Sequence, residues 1–343
     1  MSCPFISYII PCYNVQSYLP KCIDSLEKQV IPESGVEFVF VNDGSTDGSL
    51  SLIRQFAERD NRVVIIDQSN QGVCVARNNG LSSARGEYVF FMDGDDWLTE
   101  DASEVMYRFC RDSRPDIALF SHYKIQEGHT DARVWVDCSK YLSPGYYSRQ
   151  DYINNTRYFP ISNKLYRRAF LNSKGVSFDE HLKTGEVYTF YIHSIVLSDT
   201  VAVSPDFVMY YLKRSGESAT TSISVEKDIS ILDTLHTVNG YVKKHCSVLA
   251  EKRSYLSSIF WLVTSFSLIK YVGRTPYRKD LGQLIRRVKQ DQEYFELLKF
   301  FTGKGISVSK HSLLAIAIRF LPPRIAYTVI RGYYKFATRN NTE

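Results

Sequence analysis

The sequence lacks several things that would assign it quickly. It has 7 cysteines but no Cys-x-x-Cys pair. The count is odd, which argues against a disulfide framework and for free thiols in a reduced compartment. No apolar run reaches the roughly 20 residues that a membrane span needs. The best stretch, Tyr255 to Ile269, is shorter and carries Ser257, Ser258, Thr264, Ser265 and Ser267, so a buried helix is expected there. No charge sign dominates: Lys+Arg 42 nearly offset Asp+Glu 37, leaving +5. No nucleic-acid partner is expected on that balance. The Gly-rich first loop of dinucleotide-binding and nucleotidyl-transferring chains is also missing, because the first strand runs into Pro11-Cys12-Tyr13-Asn14. Internal repeats and low-complexity linkers are absent.

What is present fits a globular chain of about two domains at roughly 150 residues each. Hydrophobic residues make up 44% of the 343, and aromatic residues 14%, with Tyr 24 and Phe 20. Such a chain can bury a large core. Met1-Ser2-Cys3-Pro4 leads directly into an apolar strand, without a basic stretch or cleavage site, so an unexported, cytoplasmic protein is expected.

The first 120 residues alternate strand and helix patterns. Strands are predicted at Ile6 to Pro11, Val36 to Val41, Val63 to Ile66, Tyr88 to Met92 and Ile117 to Phe120. Helical stripes fall between them: Leu19, Cys22, Ile23 and Leu26, then Leu50, Ile53 and Phe56, then Val73 to Leu81, then Val105 and Phe109. This alternation implies an α/β fold with a largely parallel, Rossmann-like sheet and right-handed crossovers. In such sheets ligands bind beyond the carboxyl ends of the strands. That is where the polar turns fall: Pro11 to Asn14, Asn42-Asp43-Gly44-Ser45, and Asp93-Gly94-Asp95-Asp96. From residue 122 the pattern is mixed, and from about 226 it is helical.

Three carboxylates within four residues at the end of a buried strand repel one another. A divalent cation offsets that repulsion, and oxygen-only ligands favour Mg²⁺ or Mn²⁺ over zinc. A solvated helix-capping turn is the plainer account. Asn42 to Gly48 is a tight turn whose carboxylate can accept from a nucleobase N–H, or serve only as a cap. Gly72 opens a helix one turn before Arg77, a pairing suited to a diphosphate. An Arg on a core carboxylate is the alternative.

Taken together, Ile6 to Asn14, Val41 to Asp47, Asn70 to Asn79 and Phe90 to Trp97 resemble the family 2 glycosyltransferases of bacterial surface-polysaccharide synthesis, which have a GT-A fold. The resemblance covers about 220 residues. It implies a GT-A domain at 1–225, with a nucleotide-binding half at about 1–120 and an acceptor half at about 121–225, followed by a helical C-terminal extension at 226–343. It implies an inverting transferase using a nucleotide-sugar, usually a UDP-sugar, with Mn²⁺ or Mg²⁺. Carried over, Pro11, Tyr13 and Asn14 line the nucleoside pocket and Asp43 meets the uracil edge. Gly72 and Arg77 lie near the donor, Asp93 on the ribose and metal side, and Asp95 on the metal. Asn163-Lys164-Leu165-Tyr166 is similar to a family pattern that puts Lys164 beside a sugar. Tyr210 to Arg214 with Ser218 resembles the family's stretch near the diphosphate. The family's base lies in a Gly-Glu-Asp motif, read here as Gly185-Glu186-Val187. Val187 cannot take a proton, so Glu186 is the candidate base, with Asp179 and Glu180 as further carboxylates nearby. A catalytically impaired donor-binding or assembly subunit of the same fold is the alternative.

The tail carries Arg324, Thr328, Arg331 and Lys335 on one helical face, and Ile325, Val329, Ile330, Tyr333 and Phe336 on the other. Such a helix suits an anionic membrane surface or a partner chain. The expected partners are the donor, a saccharide or lipid-linked glycan acceptor, the inner face of the membrane by peripheral contact, and a second copy in a homodimer.

Overall fold

The computed structural model describes residues 4–30, 35–156, 163–215 and 230–250, with short pieces at 255–256, 259, 285–287, 289–296 and 318. The basic tail helix, Ser218 and most of the 255–269 stretch lie outside the described residues. In chain order the elements are β1 (Ile6–Cys12), α1 (Leu19–Glu27), β2 (Val36–Asp43), α2 (Ser49–Arg59), β3 (Val63–Gln68), α3 (Val73–Ser83), β4 (Tyr88–Phe91) and β5 (Trp97–Leu98). Then come α4 (Ala102–Cys110), β6 (Ile117–Gln126), β7 (Arg133–Val136), β8 (Gly145–Ser148), α5 (Arg149–Asn155), β9 (Lys164–Arg167), α6 (Arg168–Lys174), α7 (Glu186–Leu197) and β10 (Thr200–Lys213). Two described helices follow, α8 (Ile231–His245) and α9 (Ser247–Ala250).

The chain divides into two units. Residues 1–180 and 190–216 form one, and residues 181–189 and 217–343 the other. The first unit is built on a sheet of order β3-β2-β1-β4-β9-β6-β10-β5, with β7 on β6 and β8 on β10. β1, β2, β3 and β4 pair in parallel, as do β6 and β10. β9 runs antiparallel between β4 and β6, so all six of those strands point the same way. The sheet is mostly parallel, as the βα alternation implies.

The central strands are apolar on both faces, which parallel strands under two helix layers require. On one face Tyr8, Phe38, Phe40 and Phe90 join Leu19, Ile23, Ile53, Phe56 and Met106 from α1, α2 and α4 in one core. On the other, Val39 and Val41 pack against Ala76 of α3. Burying such side chains contributes about 1.5–3 kcal/mol each. α1 carries the stripe read from its sequence, with Leu19, Cys22, Ile23 and Leu26 buried. It stops at Glu27.

Strand order places the site. The chain steps from β1 outward to β2 and β3, then returns to the other side of β1 as β4. Neighbouring crossovers therefore leave in opposite directions between β1 and β4, which opens a crevice at their carboxyl ends. Pro11 lies in β1 opposite Val41 of β2. On its other side the ladder has already ended at Ile9 and Phe91. Pro11 has no N–H to donate there, and none is needed.

Candidate active site

The turns after β1 and β2 are bonded to each other. Asn14, held at φ 52°, accepts from the Thr46 N–H at 2.8 Å and donates its own N–H to Ser45 Oγ at 3.1 Å. Gln16 donates its N–H to Asp47 at 3.0 Å and accepts from the Gly48 N–H at 2.7 Å. Gly44 has φ 69°, and a Cβ there would lie 2.6 Å from the Asn70 N. Only glycine fits a left-handed turn so close to a neighbouring backbone. This network leaves the Tyr13 ring 51% exposed at the rim.

Asp43 is nearly fully buried at the end of β2. One of its oxygens accepts from Gln68 Nε2 at 2.8 Å and from the Gln71 N–H at 2.8 Å, the other from the Gly72 N–H at 2.9 Å. Gln68 is held in turn by Asn79 Nδ2 at 2.7 Å. A carboxylate has about four acceptor positions. Three are taken by the protein, so the Asp43 reading leaves one for a ligand N–H. The structure thereby gives Asp43 a second task that the sequence reading did not include: it fixes the loop that starts α3.

Arg77 projects from α3 and is buried. Its guanidinium donates to Asp93 at 2.9 Å and lies 5.2 Å from the Phe178 ring. Its ion pair is thus with the carboxylate turn. Gly94 seats that turn on β1, since a Cβ there would meet Cys12 Sγ at 3.1 Å.

Ligand atoms of Asp93, Asp95 and Asp96 all lie within 4.8 Å of one another. Asp93 is exposed, Asp95 half-buried and Asp96 buried. Burial, and then the neighbouring Asp93, push the Asp95 carboxyl up to about 6. Burial, then Asp95 and Asp93, push Asp96 well above the usual carboxylate range. Each shift records a negative charge in need of a cation. Two guanidinium groups answer part of that need: Arg77 on Asp93, and Arg214, 2.7 Å from Asp95. A donor set of carboxylate oxygens, with an arginine standing where positive charge is wanted, fits a hard divalent cation such as Mg²⁺ or Mn²⁺.

Lys164 begins β9 at this same edge of the sheet. It is 4% exposed, and its ammonium sits 3.9 Å over the Tyr191 ring. Burial pushes it down to about 7. Glu180 accepts from Asn78 Nδ2 at 2.9 Å, which ties the 178–180 stretch to α3. Glu186 is the first residue of α7, half-buried, with Val187 following it. An acidic residue there favours the helix N-terminus. Glu186 lies in the second unit, whereas the carboxylate turn lies in the first.

The four sequence motifs are therefore joined by hydrogen bonds and ion pairs around one strand edge. Sequence reasoning left out Arg214 as a site residue, although its Tyr-Tyr-Leu-Lys-Arg stretch was legible. It counted Asp96 among the three clustered carboxylates but gave the cation only to Asp93 and Asp95. Tyr18 and Glu127, described below, sit singly in loops and carry no spacing signal.

Comparison with known proteins agrees with this geometry. The family model described as glycosyl transferase family 2 matches residues 7–173. Glycosyltransferase GlyA of Streptococcus pneumoniae is 43% identical over 122 residues, 36% of this chain and 17% of that protein. A poly(ribitol-phosphate) β-glucosyltransferase of Bacillus spizizenii is 30% identical over 216 residues, 62% of this chain and 33% of that enzyme. The chain thus matches a third or less of the length of these two relatives. Among solved structures, residues 1–349 of Staphylococcus aureus TarS, crystallised with UDP-GlcNAc, align with a TM-score of 0.65 at 20% identity, over 97% of this chain and 92% of that one. The fold is that of the GT-A enzymes, and residues 7–173 carry a glycosyl transferase family 2 domain.

Proposed function

We propose that this protein is an inverting glycosyltransferase that moves a sugar from a UDP-sugar to a hydroxyl of a bacterial cell-surface glycan. The observation that carries the reading is the Asp93–Asp95–Asp96 cluster at the β1/β4 crevice, with Arg77 bonded to Asp93 and the start of its helix held by Asp43. The relatives support it, being named poly(ribitol-phosphate) glycosyltransferases, and TarS has been crystallised with UDP and with UDP-GlcNAc. Those names favour an enzyme over an assembly subunit.

In this reading Pro11, Tyr13 and Asn14 hold the nucleoside, and the remaining acceptor position of Asp43 takes the uracil N3–H. Gly72 and Arg77 flank the donor. Asp93 and Asp95 would hold the divalent cation, which when bound neutralises the diphosphate leaving group. The acceptor hydroxyl attacks the anomeric carbon, the bond from that carbon to the β-phosphate oxygen breaks, and UDP departs. A base must take the hydroxyl proton. Glu186 is assigned that task, because Val187 replaces the aspartate of the family motif. Lys164 supports the donor or acceptor sugar from beneath. The acceptor is a saccharide or lipid-linked glycan, the enzyme works at the inner face of the membrane, and the 324–339 segment supplies the peripheral contact or a dimer surface. Among the described residues no helix is long and apolar enough to cross a membrane.

The test is UDP release from a panel of UDP-sugars with Mn²⁺ and a polyol-phosphate or lipid-linked acceptor. Acceptor-dependent release by wild type, lost in Asp95→Asn, is the expected result. No release with any donor and acceptor, alongside tight UDP binding, would establish the assembly-subunit reading instead.

A further inference from the structure

Arg214 follows β10 and is the last arginine before the 216–229 segment. Its Nε lies 2.7 Å from Asp95 Oδ2 yet outside hydrogen-bonding alignment, so the contact is an ion pair without a directed bond. The guanidinium carbon rests 4.2 Å over the Tyr18 ring. The Tyr18 hydroxyl donates to one oxygen of Glu127 at 2.9 Å, and the other oxygen accepts from the Ser215 N–H at 2.7 Å. The Glu127 N–H donates to the Lys213 carbonyl at 3.0 Å. The loop after β1, the end of β6 and the end of β10 thus converge on one arginine. That arginine is set against a carboxylate read above as a cation ligand.

We infer that Arg214, seated by Tyr18 and Glu127, is a counter-ion that keeps a bare divalent cation off Asp95 and releases that carboxylate only when a nucleoside diphosphate arrives. The inference rests on the donor-site reading above and adds an order of binding to it. A cation arriving alone must displace a positive charge 2.7 Å from its ligand. A diphosphate offers the guanidinium acceptors that match its planar fork, which a misaligned contact with one carboxylate oxygen does not. Once the guanidinium turns to the phosphates, Asp95 is open to hold a cation, which would supply positive charge to the diphosphate. Each ligand then raises the affinity for the other by one common factor, as linkage requires. Tyr18 and Glu127 are positioning residues in this scheme, since they act through Arg214.

The experiment titrates the full chain with Mn²⁺, following the free-ion paramagnetic resonance signal, with and without UDP. Wild type should bind Mn²⁺ weakly alone and at least roughly tenfold more tightly with UDP. Arg214→Gln should bind bare Mn²⁺ at least roughly tenfold more tightly than wild type, with little further gain from UDP. Arg214→Lys keeps the charge but loses the fork, so bare Mn²⁺ should stay weak while the UDP effect shrinks. Tyr18→Leu should shift bare Mn²⁺ affinity in the same direction as Arg214→Gln, by less. Circular dichroism confirms that each variant is folded. Wild type that binds Mn²⁺ with UDP, beside an Arg214→Gln variant with unchanged or weaker bare Mn²⁺ affinity, overturns the counter-ion role alone. Wild type that takes up no Mn²⁺ even with UDP overturns the donor-site reading itself, and this inference with it.

Discussion

Replacing Asp96 by Asn should make the protein more stable and a worse ligand binder. Asp96 is 3% exposed, and its Oδ1 accepts from the Leu212 N–H at 2.9 Å. Asn keeps an Oδ1 and so keeps that bond. Among the described residues no arginine pairs with Asp96 as Arg77 pairs with Asp93 and Arg214 with Asp95, so the change removes repulsion and desolvation without breaking a described ion pair. The ligand atoms lie within 4.8 Å of one another, and at that distance two carboxylates repel by roughly 3.5 kcal/mol at an effective dielectric of about 20. The two arginines, and water around Asp93, cancel much of this. The net gain is on the order of 1–3 kcal/mol, in the range of ordinary point substitutions. At roughly 2–4 °C per kcal/mol for a unit of this size, the melting temperature should rise by about 2–12 °C. The same variant has one less negative charge for a cation, so Mn²⁺-dependent UDP affinity should fall at least roughly tenfold. Differential scanning calorimetry and isothermal titration on the same sample read both effects. A lower melting temperature would mean that Asp96 is held by partners that outweigh the repulsion. An unchanged Mn²⁺·UDP affinity would remove it from the cation field.

Three further outcomes follow from the site. Asp43 has one acceptor position left and faces three donors, so UDP should bind more tightly than CDP by at least roughly tenfold, because the cytosine N3 has no proton to give; equal affinities would detach Asp43 from the base. Glu186→Gln should bind Mn²⁺·UDP normally and lower kcat by roughly 10²–10⁴, whereas full turnover would assign the base elsewhere. Lys164 titrates near 7 in the fold and near 10.4 unfolded, so between those values the unfolded chain holds more protons and this residue's contribution to stability rises with pH. The stability advantage of Lys164→Met over wild type, from urea unfolding, should therefore shrink by about 2 kcal/mol from pH 7 to pH 9, and a constant difference would show that the ammonium is not held in a desolvated site.

The nucleotide-binding half was legible because each of its strands is a short apolar run closed by a polar turn, and each helix between them shows a stripe. β1, β2, β3 and β4 begin within a residue of where the runs begin. Past residue 122 the signal weakens for a physical reason. β9 runs against its neighbours, β5 has two residues, and β10 has irregular register between Val203 and Met209. Short edge strands and bulges leave little periodicity to read. The site was legible where function and local structure share residues, as in Asp93 to Asp96. It was not legible where one residue reaches across the fold. Nothing in the sequence around Tyr18 or Glu127 announces that the two hold Arg214 over Asp95. Nor does the motif around Asp43 show that most of its acceptor capacity is spent on Gln68, Gln71 and Gly72.

The central claim is that the carboxylates at the β1/β4 crevice take a nucleoside diphosphate through a divalent cation. Isothermal titration of UDP into wild type and Asp95→Asn, each with Mn²⁺ and with EDTA, tests it most directly. The account predicts tight binding only for wild type with Mn²⁺, and a loss of at least roughly 100-fold on chelation or in the variant, about 2.7 kcal/mol. Equal UDP affinity in all four titrations would contradict it.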